Sequence, residues 1–324
     1  MFSSIFYNQY ITLLSALMVL VLMIVFGTLP NTSLFWHEIQ NTGHTLLFIP
    51  LVIFVILLLE DTTIFLKKKP FKLYIAACTI SLLIGIVIEL IQFVIDRDAS
   101  IIDVVRDFAG IVTGLGLYLT TDSISQSHKP KLNKRARTGI ITLSFFVFSA
   151  GLWPLFFLSA AYVQREIALP MIVDLSANWV QPFLHLKNAS IRLADERESN
   201  IFEKDRLTRI DLQNGTYPGF SIIETVPNWS AYQTLKIAVY SKFDQPFNLV
   251  LRIHDIHHNH AYTDRFNTIL TINKGTNYFH IPLEDIKKAP ASRPMDMTHI
   301  KDITFFSARA AKGLYFYVGD MHLK

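Results

Sequence analysis

The sequence predicts a membrane all-α helical bundle of about five transmembrane helices followed by an all-β jelly-roll sandwich. Three observations predict it. Apolar residues make up 51% of the chain against 17% charged, and mean hydropathy is positive, the profile of a membrane protein with an attached polar part. Five apolar runs, at about 10–29, 45–66, 73–95, 101–120 and 139–163, precede residue 165, and each approaches the roughly 20 residues that cross about 30 Å of hydrocarbon. From about 187 the pattern changes to short alternating runs such as "TLKIAVYS", "FNLVLRIHD" and "LYFYVGDMHL", broken by Asn, Gly and Pro, which suits antiparallel strands.

The first run has no Lys or Arg ahead of it, so a retained span is expected rather than a cleaved signal peptide. The loops "KKKPFK" (67–72) and "HKPKLNKRAR" (128–137) hold the clustered basic charge, and five spans put both on one side. The positive-inside rule makes that side cytoplasmic. A multi-pass plasma-membrane protein results, with a cytoplasmic N-terminus and an extracytoplasmic C-terminal part. Expected boundaries are 1–165 for the bundle, 166–186 for an interfacial linker and 187–324 for the sandwich. In the linker, Ala168, Ile172, Leu175 and Trp179 share one helical side, which predicts a short amphipathic helix on the outer leaflet. The single Cys78 cannot form an internal disulfide.

Where the third and fourth spans meet, the chain reads "ELIQFVIDRDASIIDVVRDFAG" (89–110), a charged stretch between membrane-length apolar runs. Residues three and four apart share a helix face. Ser81, Gly85, Glu89 and Gln92 form one stripe; Asp103, Asp107, Gly110 and Gly114 form another, with Gly116 off it. The stripes are expected to face each other or a shared neighbour and to line an outward-facing polar cleft. Glu89 lies nearly two turns inside its span, where an unpaired ionisable group is costly and a functional role is the default reading, with helix packing as its rival.

The spacing Glu89-x-x-Gln92, Arg97, Ser100, Asp103, Gly110, Gly114, with His44 opening an earlier span, resembles the VanZ-like family, membrane proteins named after a teicoplanin-resistance protein. The resemblance covers about 10–120. The family's usual Asp-Lys before the His is Gln40-Asn41 here, and its Asn four residues after the Asp is Asp107, which makes the cleft more acidic. The resemblance implies a bacterial cell-envelope role with glycan or lipid-linked substrates, and no particular reaction. Chemically, Glu89 and Asp103 could serve as general acid and base with His44 as proton carrier and Arg97 holding an anion. Equally, Gln92, Arg97, Ser100 and Asp107 could complete a recognition pocket in which no bond changes. Without a nucleophile, a metal triad or a nucleotide loop no enzyme class can be chosen, and no cofactor is expected.

The segments "PNWSAYQTLKIAVYS", "LRIHDIHHNHAYTDRFN" and "NYFHIPLEDI" resemble a carbohydrate-binding-module-like, galactose-binding-type jelly roll over about 190–324. The resemblance implies glycan binding. Trp229 and Tyr232 could stack on a sugar ring or pack at a strand entry. Asp255, His257, Asn259, Tyr262, Asp264 and Arg265 form a loop network that either fixes the sandwich edge or hydrogen-bonds sugar hydroxyls. The histidines of that loop tempt a zinc reading, but no metal is expected. Expected partners are membrane lipids and an envelope glycan or lipid-linked precursor. The basic residues lack interleaved aromatics, so nucleic acid is not among them. A non-catalytic anchor presenting the sandwich to an envelope protein is the alternative.

Overall fold

A helix start needs a partner for its free backbone N–H groups, and Ser100 supplies one: its Oγ accepts from the Ile102 N–H at 3.1 Å. Pro70 opens another helix, where its missing N–H costs nothing. In the computed structural model, which describes residues 15, 18–19, 21–22, 33–62, 70–95, 100–121, 129–201, 207–308 and 313–324, the long helices are α1 (Leu34–Thr62), α2 (Pro70–Val94), α3 (Ile101–Thr120) and α4 (Lys134–Ile167). The chain divides into two compact units, Met1–Phe157 and Leu158–Lys324.

Among the described residues, three helices are long and apolar enough to cross a membrane: Leu34–Glu60, Pro70–Val94 and Lys134–Ile167. The expected run at 101–120 is helical along its whole length, but Asp103, Arg106 and Asp107 in its first two turns keep it out of that set. The expected first span, 10–29, falls almost wholly outside the described residues. One expectation is corrected. The segment before His44 is helical from Leu34, so His44 stands nearly three turns inside α1 rather than at its start. No Pro interrupts 34–44, and Gly43 costs only about 1 kcal/mol relative to Ala. Contacts of His44 and Thr45 with α3 hold the extension.

Glycine sets the helix spacing. A Cβ on Gly110 would collide with the Thr45 carbonyl, and one on Gly114 with the Ile49 carbonyl, so α1 and α3 meet backbone to backbone. The glycines of the α3 stripe therefore face α1, a neighbour shared with α2. Gly116, expected off the stripe, is also a packing position: its Cβ would collide with Ser144 Oγ of α4. Phe48, Val52 and Ile56 of α1 pack with Leu73, Ala77 and Ile88 of α2 and Ile111 and Tyr118 of α3.

The second unit alternates inward and outward along its strands. In Phe247–Asp255, Leu249, Leu251 and Ile253 are fully buried while Val250, Arg252 and His254 point the other way. The strands are β1 (Met171–Val173), β2 (Leu184–Lys187), β3 (Ala189–Leu193), β4 (Thr208–Leu212), β5 (Gly219–Ile223), β6 (Thr234–Ser241), β7 (Phe247–Asp255), β8 (Phe266–Ile272), β9 (Gly275–Pro282), β10 (Ile300–Phe306) and β11 (Tyr315–Leu323). Short helices α5 (Glu196–Ile201) and α6 (Leu283–Lys288) interrupt them. All pairings are antiparallel, in two sheets ordered β3-β4-β11-β6-β9, with β1 also on β11, and β2-β5-β10-β7-β8. Neighbours that are distant in sequence make this a crossed, jelly-roll-like antiparallel sandwich.

The expected amphipathic helix at 168–179 is not formed. Met171–Val173 pairs with β11 instead, and a 3-10 turn follows at Asn178–Phe183. Pro170 cannot donate a helical hydrogen bond. Strand pairing with β11 buries Ile172 and Val173, and Leu175 is buried beyond them. The sheets thus begin before residue 187, with β1 and β2.

Candidate functional site

In the first unit, one polar cluster gathers residues from three helices. His44 Nδ1 lies 3.0 Å from Asp107 Oδ1 and 3.9 Å from Glu89 Oε1. The other Glu89 oxygen accepts from the Ser100 N–H at 2.8 Å, tying the end of α2 to the start of α3. Arg106 donates to Asp103 at 2.7 Å and to Glu38 at 2.6 Å. His44, Glu89, Gln92, Asp103, Arg106 and Asp107 are all buried, and Gly85 makes room for the second Asp107 oxygen. The two predicted stripes thus do converge, Gln92 staying on the buried face of α2. Arg97 lies outside the described residues.

Sequence reasoning missed Arg106 and Glu38. The i, i+3 spacing of Asp103 and Arg106 was a local signal for an ion pair; Glu38 sits between the expected spans at 10–29 and 45–66. Chemically the cluster offers a buried imidazole oriented by one carboxylate with a second near it, a set that holds or moves a proton. Among the described residues, His44, Glu89 and Asp103 bring ligand atoms within 4.8 Å of one another. In this arrangement His44 Nδ1 faces Asp107, Asp103 Oδ1 accepts from Arg106, and Glu89 Oε1 has no hydrogen-bond partner.

In the second unit, the predicted loop divides into two roles. Asp255 and Asp264 are buried and share Arg293, which donates to Asp255 Oδ1 at 2.7 Å and to Asp264 Oδ2 at 3.1 Å. Asp255 also accepts the Asp296 N–H at 2.7 Å, and Asp264 the Asn259 N–H at 3.0 Å. Burial alone would raise the Asp255 carboxyl, but Arg293 and the backbone donors hold it below the usual range. Both aspartates are therefore engaged in contacts within the sandwich edge. Asn259 caps the same loop by accepting the Ala261 N–H. His257 is exposed, 3.7 Å from Asp296. Trp229 is 0% exposed and donates its indole N–H to the Val226 carbonyl at 2.7 Å, so it packs at the strand entry and offers no stacking face. Tyr232 is half-buried beside it.

Tyr262 and Arg265 belong elsewhere. They line a groove of about 970 Å³ across the outer face of the β2-β5-β10-β7-β8 sheet. Its floor is polar: Ser221 Oγ donates to Thr304 Oγ1 at 3.0 Å, and Arg252 reaches the same oxygen at 3.2 Å. Its two ends carry exposed tyrosines, Tyr217 at 56% and Tyr262 at 70%. Arg265 lies 5.1 Å above the Tyr262 ring, and Lys187 lies 6.0 Å from the Tyr217 ring. Burial, and then the charge of Arg265, lower the pKa of Arg252. Sequence reasoning missed Tyr217, Arg252 and Thr304, because the groove is assembled from strands far apart in the chain.

No protein-family model matches this chain, and no curated protein matches it. Solved structures similar to it include an exo-β-agarase, 16% identical, with a TM-score of 0.37 over 48% of this chain and 24% of that one. Another is a family 11 carbohydrate-binding module from Clostridium thermocellum in complex with a β-1,3-1,4-mixed-linked tetrasaccharide, 15% identical, with a TM-score of 0.37 over 47% of this chain and 93% of that one. A family 30 module of a cellulosomal cellulase from the same organism is 14% identical, with a TM-score of 0.30 over 44% and 86%. At these identities and TM-scores the likenesses carry no argument about what this chain binds.

Proposed function

We propose that this is a multi-pass membrane protein of the bacterial cell envelope that recognises an envelope glycan or a lipid-linked glycan precursor. The observation that carries the reading is the groove of the β2-β5-β10-β7-β8 sheet, with a tyrosine at each end and hydroxyl and guanidinium groups between. A pyranose has apolar C–H faces and a hydroxyl rim, and a groove of this composition matches both. Five spans, with the sandwich outside the cytoplasm, complete the reading. The VanZ-like resemblance of 10–120, carried by its motif residues, supports an envelope role. The buried cluster of His44, Glu89 and Asp107 serves as a second polar site on the bundle.

The scaffold alternative draws on one observation. The Asp255–Arg293–Asp264 clasp engages two of the loop's candidate binding residues in ion pairs at the sandwich edge, which supports that alternative. The groove separates the two readings. Full-length protein in nanodiscs, titrated with a panel of envelope glycan fragments, should bind saturably with Kd on the order of 1 µM to 1 mM. Tyr262→Ala and Tyr217→Ala should each weaken binding several-fold without shifting the melting temperature by more than a few degrees. Absence of saturable binding across the panel would favour the scaffold.

A further inference from the structure

The groove has a charge. Among the described residues its lining includes His185, Lys187, Arg252 and Arg265 and no Asp or Glu. The depression on the opposite sheet is mixed, with Asp174 and Asp320 beside Lys236. Nor are the cations spread evenly. Arg265 accompanies Tyr262 at one end, and Lys187 accompanies Tyr217 at the other. Each aromatic face that could take a sugar ring therefore has a cation within reach of that ring's substituents. At the centre, Arg252 is half-buried and pairs with Asn267 across the β7–β8 register, two residues from Arg265. The Nε atoms of Arg252 and Arg265 are both buried without a hydrogen-bond partner. A buried guanidinium donor left unpaired is unfavourable, and two like charges placed together raise the cost further, which Asp302 beside Arg252 offsets only for Arg252. An anion between them relieves both, and a guanidinium recognises carboxylate and sulfate bidentately.

We infer that the groove selects an acidic glycan, one whose sugar rings carry carboxylate or sulfate groups. This rests on the glycan-binding reading above. The rings stack on Tyr217 and Tyr262 while their acidic substituents meet Lys187 and Arg265, and Arg252 anchors the middle of the chain. Neutral hydroxyls alone would bring no anionic charge to these two guanidinium groups.

The test uses full-length protein in nanodiscs and matched probes: hexagalacturonate against its full methyl ester, dextran sulfate against dextran, and poly-L-glutamate as an anion without sugar rings. Hexagalacturonate or dextran sulfate should bind at least tenfold more tightly than its neutral counterpart, and raising salt should weaken it. Arg265→Gln should reduce that affinity about tenfold. Lys187→Glu, at an exposed position where folding is not at risk, should reduce it in the same direction. If the neutral polymers bind as well as the acidic ones, the charge inference is overturned and glycan binding stands. Poly-L-glutamate binding as tightly as the acidic glycans would mean a plain anion surface and overturn the inference. No saturable binding by any probe would overturn it and remove the groove's support for the glycan reading as well.

Discussion

Arg293 holds two buried carboxylates at once, so its removal strands both charges against the sandwich edge. Arg293→Ala should lower the melting temperature of the sandwich far more than His257→Ala, which removes an exposed imidazole; equal effects would mean that the clasp is not what fixes the loop. Glu198 behaves similarly with a pH signature. Burial would raise its carboxyl, but paired hydrogen bonds from Arg192 at 2.8 Å, the Tyr317 hydroxyl at 2.7 Å and Arg209 at 3.1 Å hold it well below the usual carboxylate range. Its folded pKa lies below its unfolded value of 4.5, so its contribution is complete above that pH and is lost as pH falls beneath it. Protection of β4 and β11 amides from hydrogen exchange should therefore decline on acidification below about pH 4.5, and Glu198→Gln should flatten that decline while lowering protection at pH 7. An unchanged slope in the variant would remove Glu198 from the acid response. Neither arrangement was legible in the sequence, because Arg293 lies 38 residues from Asp255 and Tyr317 lies 119 from Glu198. Trp229 shows the same limit: a strand-entry tryptophan reads identically whether it faces the core or a ligand.

Helix α3 presents small residues to two neighbours, Gly114 to α1 and Gly116 to α4. Overpacking such contacts costs about 1–3 kcal/mol. Gly114→Leu and Gly116→Leu should both lower the melting temperature of the detergent-solubilised protein, while Gly139→Leu on α4, which meets open space, should leave it nearly unchanged. A stable Gly116→Leu would restore the sequence expectation that this position is off the packing stripe. That stripe was legible because helical spacing is local: Ser81, Gly85, Glu89 and Gln92 are all buried on α2, as are Asp103, Asp107, Gly110 and Gly114 on α3. That the stripes meet was expected, but that α1 packs between them through His44, Thr45 and Ile49 was not legible, since spacing gives a face and not its neighbour. Strand alternation in β7 was equally plain. The 168–179 segment misled for a physical reason: Ile172 and Leu175 satisfy helical spacing, yet the hydrogen bonds go to β11, some 150 residues away. The groove lay beyond sequence reading altogether, because its ends come from β2 with the loop before β5, and from the loop before β8.

At the scale of the whole chain, the proposed function needs the sandwich on the side of the membrane where envelope glycans are. The proposed orientation is argued from the basic loops 67–72 and 128–137, which an arrangement of five spans would place together in the cytoplasm. It also decides whether the groove's charge and the polar cluster of the bundle have envelope chemistry to meet. The direct measurement is a pair of reporters fused after Lys324 in living cells: alkaline phosphatase, active only outside the cytoplasm, and a green fluorescent protein that fluoresces only inside. An active phosphatase and a dark fluorescent fusion are expected, with the reverse for fusions at Lys131. A fluorescent fusion and an inactive phosphatase after Lys324 would put the sandwich in the cytoplasm and contradict recognition of an envelope glycan.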